Sequence, residues 1–102
     1  MARPKKCRLV YAEPNVTYFK PRAVPLIGLE EVELTVEEFE AIRLKDLKGF
    51  EQIKVGKKMG ISQPSLHRLL LSARKKIAEA LVNGKAIKIY GGSYSLIKSK
   101  KK

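Results

Sequence analysis

Residues 52–71 read QIKVGKKMGISQPSLHRLLL, and the proline in that stretch decides the fold. Pro64 stands just after Ser62, a residue whose hydroxyl can accept a hydrogen bond from a free amide of a first helical turn. Amides of that turn have no partner within the helix, so the missing N–H of a proline there costs nothing and its fixed φ favours the start. Pro64 therefore marks a helix beginning near Gln63. The preceding helix, from about Glu51, must stop at Met59, which leaves Gly60, Ile61 and Ser62 as the joint. Two helices joined so tightly form a helix-turn-helix unit. Close crossing requires a small residue in the first helix, a glycine in the turn and apolar residues around them. Gly56 and Gly60 fill the first two roles; Val55, Met59, Ile61, Leu66 and Leu69 fill the third.

Outward from this joint, Thr35 and Glu38 have the spacing of a capping box, which predicts a helix from Val36 that Gly49 ends. At 100° per residue Val36, Phe39, Ile42 and Leu47 fall on one side, with Glu37, Glu40 and Arg43 largely outside it. The acidic residues accordingly read as a solvated face. The third helix is predicted over Gln63–Val82, ended by Asn83-Gly84, with Leu66, Leu69, Leu70, Ala73, Ile77, Ala80 and Leu81 in one arc. Ser65, Arg68, Ser72 and Lys75 lie on its other side.

The expected class is mainly α: a three-helix helix-turn-helix core with short β segments near both termini. Residues 1–27 read as a basic, proline-containing arm, 28–84 as the helix-turn-helix domain and 85–102 as a strand or hairpin with a basic tail. In the arm, RLVY and VTYF alternate as short strands do, with AEPN as a turn signal between them. AIKIYGGSYSLI also alternates. A hairpin across Gly91-Gly92 would put Ile87, Ile89, Tyr94 and Leu96 on one face; alternatively one strand pairs with VTYF or with a second copy of the chain.

The chain has 102 residues and a net charge of +12, enough for one modest core and a strong attraction to polyanions. The charge is uneven: +5 over residues 1–22, −4 over 23–50, +5 over 51–82 and +6 over 83–102. A phosphate backbone would orient such a molecule with its acidic side turned away. No apolar run approaches a membrane span and no leader pattern opens the chain, so a cytoplasmic protein without membrane partners is expected. The single Cys7 excludes an internal disulfide scaffold, and the single His67 has no partner at metal spacing. Neither metal nor cofactor is implied, and nothing resembles a catalytic constellation or a glycine-rich phosphate loop.

Double-stranded DNA is thus the expected partner. In a helix-turn-helix the second helix enters the major groove by its N-terminal part. Ser62, Gln63, Ser65, His67 and Arg68 are the candidate base-reading residues, and Gln63 and Arg68 have the paired donors and acceptors that adenine and guanine edges match. Lys54, Lys57, Lys58, Ser72 and Lys75 are candidate phosphate contacts, with Arg3, Lys5 and Lys6 on an arm that either lies in a groove or only attracts phosphate. RNA polymerase or another protein, docked on the acidic helix and Leu71, is the alternative partner. Charge-only coating of nucleic acid and a homodimer are also open.

The run LTVEEFEAIRLKDLKGFEQIKVGKKMGISQPSLHRLLLSARKKIAEAL resembles the promoter-reading fourth region of sigma-70-type factors. With RPKKCR, EPNVTYFKP and VNGKAIKI followed by the paired glycines, residues 3–92 are similar to an uncharacterised prokaryotic family of short predicted DNA-binding proteins. The resemblance implies a DNA-binding, sigma-region-four-like helix-turn-helix. Two departures stand out: Val55-Gly56 with Lys54, Lys57 and Lys58 replace two alanines and acidic neighbours, and Gln63 stands where an arginine often opens the reading helix.

Overall fold

Thr35 starts the first helix by the reciprocal cap that its spacing predicts. Its Oγ1 accepts the Glu38 N–H at 3.1 Å, and Glu38 Oε1 accepts the Thr35 N–H at 2.9 Å. In the computed structural model, which describes residues 8–97, helix α1 covers Val36–Ile42 and runs on through a π-helical turn over Arg43–Leu47. That wider turn takes one more residue than an α turn, so positions beyond it drift from the 100° spacing. Leu47, expected among the apolar residues, is consequently 77% exposed. Gly49, at φ +79°, ends the segment as predicted. Helix α2 spans Gln52–Met59 and helix α3 spans Gln63–Asn83, the latter closed by Gly84 in the left-handed conformation.

Five short strands flank the helices: β1 Arg8–Val10, β2 Tyr18–Phe19, β3 Glu31–Leu34, β4 Ala86–Ile89 and β5 Tyr94–Leu96. β4 is the centre of one sheet, antiparallel to β2 and parallel to β3, while β1 and β5 pair in parallel. The hairpin across Gly91-Gly92 does not form; β4 instead takes the VTYF segment as a partner. The two glycines carry the chain over the N-terminus of α1. The Gly91 carbonyl accepts the Val36 N–H at 3.1 Å, and a Cβ on Gly92 would sit 2.9 Å from Thr35 Cβ. β3 lies within the acidic stretch, and its EVEL alternation puts Val32 and Leu34 inward and Glu31 and Glu33 outward. Three helices with short strands before and after them agree with the expected class, and β3 is an addition inside the 28–84 segment read as helix-turn-helix.

The core forms two clusters. Ala41 and Leu44 meet Val55, Met59, Leu66, Leu69 and Leu70 between the three helices. Val10, Leu34, Val36, Ala73 and Ile89 join the strands to α1 and α3. A fully buried side chain such as Leu66 contributes about 1.5–3 kcal/mol relative to exposure. The acidic side of α1 is not solvated: Glu37, Glu38 and Glu40 are all buried. β1, the segment leading to β5, and α3 cover that side and supply its partners. Glu37 meets Arg8 and the Ser93 N–H, Glu38 meets Ser72 and Lys76, and Glu40 meets Arg43 and the Tyr11 N–H.

Candidate functional site

Gly60 adopts φ +69° at the end of α2, a conformation open to glycine at little cost, and its N–H bonds back to the Gly56 and Lys57 carbonyls. Ile61 N–H then bonds the Gly56 carbonyl at 3.0 Å, drawing the turn tightly over α2. A Cβ on Gly56 would lie 3.1 Å from the Ile61 carbonyl oxygen, which explains the need for a small residue there. Ser62 caps α3 by accepting the Ser65 N–H at 3.3 Å, and Pro64 occupies the first turn. Val55, Met59, Leu66 and Leu69 close the angle from inside, with Ile61 packed partly against them. The seven residues assigned to the joint from sequence converge on it.

The polar tip stands outside this packing. Ser62, Gln63, His67 and Arg68 are exposed and Ser65 is half-buried, its hydroxyl 3.1 Å from that of Ser62. On α2, Lys54 and Lys57 are exposed, and Lys75 is exposed further along α3. Between Glu51 and Glu79 the chain has no carboxylate. Five other cations are paired internally: Arg8 with Glu37, Arg43 with Glu40, Arg74 with Asp46, Lys76 with Glu38 and Lys85 with Glu79 and Glu30. Among the described residues Lys54, Lys57, Lys58, Arg68 and Lys75 make no salt bridge, although Lys75 lies in the field of Glu79.

The pairing also removes groups from the candidate set. Arg74 holds Asp46 by two hydrogen bonds, and the Asp46 carboxyl is drawn below its ordinary range by them. Burial pushes the Glu38 carboxyl up, but hydrogen bonds from Lys76, Ser72 and the Thr35 amide outweigh it and leave the group below its ordinary range. Ser72, assigned to phosphate from its helical position, donates its hydroxyl to Glu38 Oε2. It is half-buried at the α1 contact and is not a free phosphate ligand. The α1 carboxylates of the alternative docking patch are likewise enclosed, while Leu71 is 52% exposed. Arg3, Lys5, Lys6 and Cys7 lie outside the described residues.

The family described as "Protein of unknown function DUF134" matches residues 1–97. The chain belongs to that family. A UPF0251 protein of Thermoanaerobacter pseudethanolicus is 60% identical over 94 residues, covering 92% of this chain and 80% of the relative. Those of Caldanaerobacter subterraneus and Moorella thermoacetica are also 60% identical, over 96 and 97 residues, covering 94% and 95% of this chain and 81% and 65% of the relative respectively. No solved structure matches the chain.

Two aromatic residues of this DUF134 chain belong to the same surface and were not foreseen. Lys54 Nζ lies 4.3 Å from the centroid of Phe50, and Lys58 Nζ lies 5.2 Å and 5.7 Å from the centroids of Tyr11 and Phe50. Such contacts orient an ammonium without cancelling its charge. The Tyr11 hydroxyl also donates to the Lys58 carbonyl at 2.7 Å, tying β1 to the end of α2. Phe50, Lys54 and Lys58 follow one another at four-residue spacing, the signal that could have shown their grouping. Tyr11 is too distant in sequence for any local pattern to have placed it. No helix of the described residues is long and apolar enough to cross a membrane.

Proposed function

We propose that this protein is a sequence-specific binder of double-stranded DNA and a transcriptional regulator, with α2 and α3 as a sigma-region-four-like helix-turn-helix. The observation that carries this reading is the exposed tip of α3 on a tightly packed joint, surrounded by cations that the protein's own carboxylates do not neutralise. The first turns of α3 enter the major groove, where Gln63 and Arg68 present bidentate groups to base edges, each good pair giving about 1–3 kcal/mol of discrimination. Ser62, Ser65 and His67 stand beside them. Lys54, Lys57, Lys58 and Lys75 hold the phosphates on either side, and the Phe50 and Tyr11 rings fix two of these ammonium groups in advance.

The test is binding selection from a random duplex library. The expected result is an enriched motif, with preference eroded by Gln63→Ala or Arg68→Ala and overall affinity lowered alike for all sequences by Lys75→Ala. Absence of any enriched motif, or enrichment that survives both tip substitutions, refutes the assignment of α3 as the reader.

A further inference from the structure

On the face formed by the β2–β4–β3 sheet and the second half of α3, the core is left open. Two adjoining clefts of about 230 Å³ each share Phe19 and Ile87 in their walls. One descends between sheet and helices to Phe39, Ile42 and Ile77, side chains that the second core cluster only partly covers, and its lining is apolar throughout. The other opens toward Ala80 and Leu81. Beside these hollows stand apolar projections: Leu81 is 76% exposed and Phe19 52%. Leu81 sits in the arc that helical periodicity assigns to the core, yet the described residues do not cover it.

Contiguous apolar surface of this kind marks a contact site, whereas single scattered apolar residues do not. The charges around it choose the occupant. Lys20 and Lys85 line the rim, and Lys85 is paired there with Glu79 at 2.6 Å and Glu30 at 3.3 Å. The rim therefore carries both signs, while α2 and most of α3 carry only positive charge. A chain with net charge +12 repels its own copy most strongly on the cationic side and least at this mixed rim. The same patch holds both hollows and projecting apolar side chains, the pairing that a two-fold contact needs. An apolar centre with a polar rim is the ordinary make-up of such an interface.

We infer that two copies of the chain dock through this face, with Leu81 and Phe19 of each entering the clefts of the other. Leu81 lies near one end of α3 and Gln63 at the other, roughly 27 Å apart at about 1.5 Å per residue. The contact leaves both tips free, and the inference does not depend on what those tips bind.

Sedimentation equilibrium of the full chain, at high salt to screen repulsion, tests it. The expected mass is twice the 11.5 kDa of one copy. Leu81→Glu buries a charge at the contact and should weaken association roughly tenfold or more with unchanged far-UV circular dichroism. Phe19→Glu should do the same, and Lys75→Ala should leave association unaltered. Should Phe19→Glu unfold the sheet, Leu81→Glu decides alone, since its side chain is exposed on a helix. A single copy up to millimolar concentration, or a dimer that Leu81→Glu does not weaken, overturns the inference. Loss of the dimer with sequence preference intact, and loss of preference with the dimer intact, separate this contact from the DNA reading.

Discussion

Replacing Glu40 by alanine should unfold this protein more readily than any helical amphipathicity argument would suggest. The Glu40 side chain is fully buried and accepts hydrogen bonds from Arg43 Nε at 2.8 Å, Arg43 Nη2 at 2.9 Å and the Tyr11 N–H at 2.9 Å. Truncation strands a backbone amide, which alone costs about 1–3 kcal/mol, and leaves a guanidinium without its counterion. Breaking a buried pair costs about 3–5 kcal/mol in general. The Arg43 side chain keeps 21% of its surface in water, which places the expected loss at the lower end, about 3 kcal/mol. For a domain of this size that corresponds to a Tm lowered by roughly 12–24 °C. Urea unfolding followed by far-UV circular dichroism measures it. Glu40→Gln retains an acceptor for Tyr11 and should lose less, while the exposed Glu51→Ala should stay within about 0.5 kcal/mol of the parent. Replacing both Glu40 and Arg43 by methionine should recover much of the loss, because it removes the stranded charge together with its partner. If Glu40→Ala lies within about 1 kcal/mol of the parent, the carboxylate is solvated and the packing of β1 over α1 is wrong.

The Glu38 carboxyl is held below its ordinary 4.5 in the folded state, so its contribution is complete above that value and is lost as pH falls from there through the lowered folded-state value. Tm should therefore drop on acidification below pH 4.5, and Glu38→Gln should lower stability at neutral pH while flattening that acid limb; an acid limb unchanged in Glu38→Gln would contradict the Lys76 and Ser72 contacts. Gly91 and Gly92 both have positive φ, but a Cβ meets nothing within 4 Å at Gly91 and would lie 2.5 Å from Glu37 Oε1 at Gly92. Gly91→Ala should cost about 1 kcal/mol and Gly92→Ala at least about 2 kcal/mol in chemical denaturation, and equal costs would show that backbone conformation alone matters there. On duplex DNA, Lys54→Ala and Lys75→Ala should each reduce the slope of log affinity against log salt by about 0.9, the share of one phosphate, and an unchanged slope removes that lysine from the backbone contacts.

Local physics accounts for what was legible from the chain alone. Thr35 and Glu38, Ser62 and Pro64, Gly60 and Gly84 act on backbone groups a few residues away, so the helix limits follow from spacing without knowledge of the fold. The same holds for the joint, where Gly56 meets the Ile61 carbonyl within one short stretch, and for the exposed polar tip beyond it. What the chain alone could not decide is the fate of residues whose partners are remote. Glu37, Glu38 and Glu40 read as a solvated face because charge at a helix surface ordinarily meets water; Arg8, Tyr11, Ser72, Lys76 and Ser93 enclose them instead. Ser72 was drawn inward by the same contacts. β4 found β2 and β3, and β5 found β1, because α1 and α3 bring these segments together and the glycines at 91 and 92 steer the chain away from a hairpin. A side chain's distance from solvent is set by everything packed around it, and only the tertiary structure contains that information.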